Sequence, residues 1–234
     1  MVNSPSSIQI GGMRIDAGTY QSVSRKILDW ARAHASKYVC VANVHMVMES
    51  YDSESFRDIV NSSAFVTSDG MPLVWALRHR GCPAAERVYG PTLMLELCKR
   101  AADENISVGF FGGSESTLLR LRENLLKRFP TLEIKALISP PFGPELERQT
   151  PAFIEQLRND TPGVLFIGLG CPKQEIWMHQ NRGKLSSVMV GVGAAFAFHA
   201  GTVKQAPAAL QKYGLEWLFR LMMEPRRLWR RYLW

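Results

Sequence analysis

Asp69 is the residue best placed by its neighbours to move a proton. It follows Ala64–Ser68, an apolar run that reads as a buried strand, and it precedes Gly70. At such a strand end, partial burial raises a carboxyl pKa toward working pH and suits it to act as a general base. The same position also suits an aspartate that closes a turn before a glycine. Asn43 stands likewise at the end of the run Lys37–Ala42, with Asn43–His45 as the loop there, and both the pocket and the turn reading apply to it. A third strand end, Val164–Gly168, runs through Gly170 into Pro172, a residue favoured at the first helical position. Lys173, Gln174 and Glu175 then occupy a helix N-terminal turn, whose unpaired N–H groups attract anions. This aims a lysine and an amide at a mouth above a sheet; the alternative is a solvated Lys-Gln-Glu on an ordinary strand-to-helix turn.

Glycine turns recur at these strand ends. Gly112 and Gly113 follow Ile106–Phe111, and Gly191 and Gly193 follow Ser187–Val190. Gly168 with Gly170, and Gly191 with Gly193, invite a dinucleotide-binding reading. Lys173 and Phe196 occupy the last position of each G-x-G-x-x-G frame, however, and no acidic residue ends the following strand, so a nicotinamide or flavin enzyme ranks low. No H-E-x-x-H, paired-histidine or G-x-S-x-G pattern occurs, and Asp52 with Glu54 sits in a polar stretch that reads as a solvated cap. Metal-dependent chemistry is not supported.

The elements that must position these residues alternate. A hairpin around Gly11 and Gly12 precedes a helix carrying Val23, Ile27, Leu28 and Ala31 on one side. Helices with Leu118, Leu121, Leu125 and Phe129, and with Phe153, Ile154 and Leu157, separate the later strands, one of them Leu132–Ile138. Strands alternating with helices predict a Rossmann-like, mostly parallel α/β sheet covered on both faces, with ligands outside the carboxyl ends of the strands. The organisational break falls near Ala206 and Pro207, dividing a body of residues 1–205 from a helical basic appendage of residues 206–234.

The 234 residues carry a formal charge of +7 that concentrates late, with Arg220, Arg226, Arg227, Arg230 and Arg231 in the last fifteen positions. A clustered charge implies an anionic partner. With Trp217, Trp229 and Trp234, the tail reads as a basic amphipathic segment able to lie on an anionic membrane, its helix Leu215–Met223 stopped by Pro225. Arginine forks also suit diphosphates. The alternative is a terminal helix docked on the core with its arginines exposed. Nucleic acid is not expected, because the body holds no recognised motif for it. The N-terminus lacks a signal-peptide pattern and no apolar run spans a bilayer, so a cytoplasmic chain is expected. Cys40, Cys82, Cys98 and Cys171 show no paired spacing and read as buried thiols.

Taken together, Val41–Asn43, Thr67–Pro72, Glu86–Gly90, Gly109–Gly113, Gly168–Glu175, Gly191–Phe196 and Glu216–Trp217 through Tyr232 resemble the WecG/TagA/CpsF glycosyltransferase family. Seven segments in that order cover the chain from about Ile10 to Tyr232. The resemblance implies an inverting, metal-independent transfer of a hexose or N-acetylhexosamine from a UDP-sugar to a polyprenyl-diphosphate-linked saccharide, for exopolysaccharide, capsule or teichoic acid, with no cofactor. It implies Asp69 as general base and Asn43, Arg87 and Gln174 as pocket residues. Gly112, Gly113, Gly170 and Lys173 would bind substrate beside them. Arg220, Arg227 and Arg231 would belong to an appendage that closes over the site at the inner membrane face.

Three positions depart from the family's frequent residues: Val41 for threonine, and Thr92 and Ala197 for aspartate. They motivate a rival reading, a non-catalytic module that binds nucleotide-sugar or anionic lipid on the same fold. An apolar tail would pack on a second subunit as readily as on a membrane, so a homo-oligomer stays open.

Overall fold

The computed structural model describes residues 6–141, 143–207, 210, 214 and 216–223. It opens with an antiparallel hairpin, β1 (Ser7–Ile10) and β2 (Met13–Asp16). Gly11 and Gly12 make its turn with φ of 56° and 81°, the left-handed conformations that a two-residue hairpin loop demands. Then follow α1 (Tyr20–Arg32), β3 (Lys37–Ala42), α2 (Val44–Asp52), α3 (Glu54–Asn61), β4 (Phe65–Ser68), α4 (Met71–His79) and α5 (Gly90–Asp103). The second half continues with β5 (Val108–Gly112), α6 (Glu115–Arg128), β6 (Ile134–Ile138), α7 (Pro144–Asn159), β7 (Val164–Gly168), α8 (Lys173–Asn181), β8 (Val188–Gly191) and α9 (Ala195–His199). A last described helix, α10, covers Glu216–Met223.

Six strands form one sheet in the order β4-β3-β8-β7-β5-β6, every neighbouring pair parallel. This is the α/β architecture expected from the alternation of elements. Two cores cover the two faces, as period-2 alternation requires. Val39, Val41, Phe110, Phe166, Val188 and Val190 point to the face packed by α1, α5, α6 and α9. Tyr38, Cys40, Phe111, Leu165, Ile167 and Met189 point to the other, under α2, α3, α4, α7 and α8. Aromatic pairs pin both: Phe110 stacks on Phe166 at 5.3 Å, and Phe111 on Trp177 at 4.4 Å.

Some boundaries differ from the sequence reading. Val44 and His45 are not loop, because Asn43 caps α2 immediately and the helix starts at Val44. Pro172 is the cap of α8 rather than its first residue. Ala64, Ile106 and Leu132 precede their strands instead of beginning them. Cys40, Cys82 and Cys98 are buried, but Cys171 is partly exposed at the turn before α8. Leu215 and Pro225 lie outside the described residues.

The topology places the mouth. Chain leaving β3 enters α2 on one face, whereas chain leaving its neighbour β8 enters α9 on the other. Divergent exits from adjacent parallel strands open a crevice above their carboxyl ends, where ligands bind in such sheets.

Candidate active site

Asp69 is held above the β3 and β4 ends by backbone first. Its N–H donates to the Ala42 carbonyl at 2.7 Å, which extends the ladder one residue past β4, and Gly70 then caps α4. The segment before α5 crosses this strand end: the Val88 N–H donates to the Ser68 carbonyl at 2.9 Å, and the Ser68 hydroxyl to the Glu86 carbonyl at 2.9 Å. That crossing delivers Arg87 to Asp69. Arg87 Nε donates to the Asp69 carbonyl, and its Nη2 lies 3.3 Å from Asp69 Oδ1. The Gly90 N–H points at Asp69 Oδ2 at 3.4 Å.

Helix α10 reaches the same place. Glu216, the first residue of α10, accepts from Arg87 Nη2 at 2.7 Å and from the Tyr89 hydroxyl at 2.9 Å. The Arg87 guanidinium also lies over the Tyr89 ring at 4.4 Å, and the Tyr89 N–H donates to the Tyr20 hydroxyl of α1 at 3.0 Å. The Asp69 side chain keeps 16% of its surface exposed. Burial pushes its pKa up to about 6; the nearby Glu216 charge adds to that, while Arg87 and the Gly90 N–H oppose it. A carboxylate so tuned is ionised at pH 7 yet basic enough to accept a proton in a transition state.

A second group sits at the β7 and β8 ends. Gln174 is buried, and its Oε1 accepts both the Gly170 N–H at 3.2 Å and the Gly193 N–H at 3.1 Å, while its Nε2 donates to Glu175 at 2.8 Å. Gln174 therefore ties the two glycine turns together. Lys173 is exposed as a solvated turn would have it, but Gln174 and Glu175 are not. Gly170 has a φ of 80° and open space where a side chain would stand. Gly112 is still more constrained: its φ is 126°, and a Cβ there would lie 2.6 Å from the Gly168 backbone. Gly113 completes that turn and Ser114 caps α6.

The structure thus brings Asn43, Asp69 and Arg87 together: a Cβ on Gly70 would lie 3.8 Å from the Asn43 Cα. Asn43 also has its bland role, its Oδ1 accepting the Met46 N–H at 3.2 Å. Gly170, Lys173 and Gln174 form the second group, and Gly112 and Gly113 a third at β5. From β4 to β5 is four strand spacings, roughly 19 Å. Arg220 lies on α10, and Arg227 and Arg231 lie outside the described residues. Of the departing positions, Val41 is buried on β3, Thr92 is exposed in the first turn of α5, and Ala197 is partly buried on α9.

Tyr89 and Glu216 are the residues the sequence did not single out. Both lie inside stretches that carried the resemblance, but 127 positions separate them, and only the fold pairs them. Among the described residues, no three of histidine, cysteine, aspartate and glutamate converge as a metal would need, and no helix is long and apolar enough to cross a membrane.

Comparison with known proteins gives this arrangement its class. Residues 8–234 match the glycosyl transferase WecG/TagA/CpsF family, and the chain belongs to it. Among its curated relatives is the N-acetylglucosaminyldiphosphoundecaprenol N-acetyl-beta-D-mannosaminyltransferase of Bacillus spizizenii, 26% identical over 220 residues that cover 94% of this chain and 83% of that one. An enzyme of the same name from Staphylococcus aureus is 26% identical over 195 residues, 82% of this chain and 74% of that one.

Proposed function

We propose that this glycosyltransferase moves a hexose or N-acetylhexosamine from a UDP-sugar to a polyprenyl-diphosphate-linked saccharide, inverting the anomeric centre. The observation that carries the reading is Asp69: a carboxylate almost removed from water, with its pKa raised to about 6, at the mouth of the sheet. In the reaction an acceptor hydroxyl oxygen forms a bond to the anomeric carbon as the bond from that carbon to the UDP oxygen breaks. The electron pair leaves with the diphosphate, and Asp69 takes the hydroxyl proton. Back-side displacement of this kind inverts the centre.

The departing UDP gains negative charge at its leaving oxygen, so fixed donors aimed there lower the barrier. In this reading Lys173 at the start of α8 and Arg220, Arg227 and Arg231 supply them, while the open space at Gly170, whose own N–H is held by Gln174, and the Gly112–Gly113 turn further along the sheet accommodate the nucleotide. Asn43 and Arg87 shape the acceptor end. The names of the relatives support a lipid-diphosphate acceptor, and N-acetylmannosamine is among the donors to be tried. Such an acceptor brings the site to the inner membrane face, and Met222 and Met223, exposed on α10, come just before the arginine-rich stretch in the sequence.

The test is UDP release from a panel of UDP-sugars, with and without a lipid-diphosphate-linked monosaccharide, for the wild type and Asp69→Asn. Acceptor-dependent release with one donor, reduced roughly 10²–10⁴-fold in the variant, is the expected result. UDP binding without release for any donor would favour the binding module that the residues at 41, 92 and 197 suggest.

A further inference from the structure

Arg87 lies between two carboxylates, and it is closer to the one that does no chemistry in the proposed reaction. Its Nη2 is 2.7 Å from Glu216 Oε2 but 3.3 Å from Asp69 Oδ1. Both acids are largely buried, with 12% and 16% of their side chains exposed. Glu216 is fixed independently by the Tyr89 hydroxyl on its other oxygen, and Tyr89 is fixed in turn by Tyr20. A carboxylate in a close ion pair with an arginine is a poor base, because the charge it would lose on protonation is already stabilised. Something must keep Arg87 from closing on Asp69.

We infer that Glu216 is a positioning residue: by drawing Arg87 Nη2 toward α10, while Nε stays on the Asp69 backbone carbonyl, it leaves the Asp69 carboxylate only a long contact, and so keeps Asp69 able to accept a proton. This rests on the reading of Asp69 as the general base. It makes the first turn of α10 part of the base's surroundings rather than a separate membrane anchor. Among the described residues, the titratable groups facing Asp69 and Arg87 include Glu216 from α10, Tyr89 from the crossing segment and Tyr20 from α1. Among the described residues Glu216 shares the Arg87 guanidinium with Asp69, and its charge raises the Asp69 pKa. Removing that charge acts twice in one direction: it deletes a like charge and it releases Arg87 to Asp69.

The test is titration of the Asp69 carboxyl by ¹³C NMR in aspartate-labelled full-length protein, the signal being assigned by its loss in Asp69→Asn. Glu216→Gln is nearly isosteric, and its Asp69 midpoint is expected to fall by at least about half a unit, with the acid limb of the turnover profile moving down alongside it. A midpoint that stays at the wild-type value in a folded Glu216→Gln protein overturns the inference. Should that variant not fold, Glu216→Asp decides: its shorter side chain loosens the grip on Arg87, a smaller downward shift is expected, and an unmoved midpoint overturns the inference equally. Because the carboxyl titration needs no turnover, a wild type that transfers no sugar would defeat the transferase reading while leaving this result readable.

Discussion

Asp69→Asn is expected to gain stability on the wild type as pH rises while lowering turnover roughly 10²–10⁴-fold, and the size of the stability effect follows from the Asp69 pKa. The folded carboxyl titrates at about 6 against an ordinary value of 3.8, so between these values the folded chain binds more protons than the unfolded one. Stability therefore falls as pH rises through this window. Each unit is worth about 1.4 kcal/mol, so the full penalty above pH 6 is about 3 kcal/mol, of which about 2 kcal/mol develops between pH 4.5 and pH 7.5.

Asparagine has no such titration and keeps an acceptor oxygen for Arg87 or the Gly90 N–H. Any cost of the replacement itself is independent of pH, so the informative quantity is how the gap between the two proteins grows. At about 2–4 °C per kcal/mol for a chain of this size, the melting temperature of Asp69→Asn should gain roughly 4–8 °C on the wild type between pH 4.5 and pH 7.5. Thermal unfolding by circular dichroism at several pH values measures it. A gap that stays constant, or narrows with rising pH, would refute the claim that the fold holds this carboxylate against its solvation preference.

Three further outcomes follow from the geometry. Turnover should fall on the acid side with a midpoint near 6, because Asp69 must be ionised to accept a proton; a flat profile from pH 5 to pH 7.5 would remove it as the base. Gln174→Ala strips the acceptor from the half-buried Gly170 and Gly193 N–H groups, and since each such bond contributes about 0.5–1.5 kcal/mol, urea denaturation should show a loss of about 1–3 kcal/mol, with weaker donor binding. Gly112→Ala sets a Cβ against the Gly168 backbone at a φ of 126°, so calorimetry should show weaker UDP binding, and unchanged affinity would argue that this turn does not contact the nucleotide.

Much of the fold was legible because its signals are local. Continuous apolar runs such as Val164–Ile167 are what strands buried on both faces look like, and the turns at Gly112 and Gly170 mark where each stops. The errors were local too. Asn43 was read with a loop after it, but an asparagine whose side chain accepts the Met46 N–H lets a helix start at once, and Val44 is helical. For the candidate site, the strand-end rule singled out Asp69 and Asn43 without any tertiary information, and the fold sets the two side by side. Gln174 was legible as a residue of the mouth, but its use as the tie between two turns was not, since Gly193 lies 19 positions away on another strand.

What the sequence by itself determined is therefore the set of strands, the family, and the row of polar and glycine residues at the carboxyl ends. Periodicity, turn chemistry and motif order are all written within a few residues of one another. Tertiary structure alone decided the strand order β4-β3-β8-β7-β5-β6, and with it which strand ends are neighbours. It also decided the chemistry of Asp69. An isolated aspartate titrates near 3.8; this one is moved to about 6 by burial beneath neighbours that include Arg87, Tyr89 and Glu216. Desolvation and charge act through space, and the glutamate that tunes this carboxylate arrives from the far end of the chain.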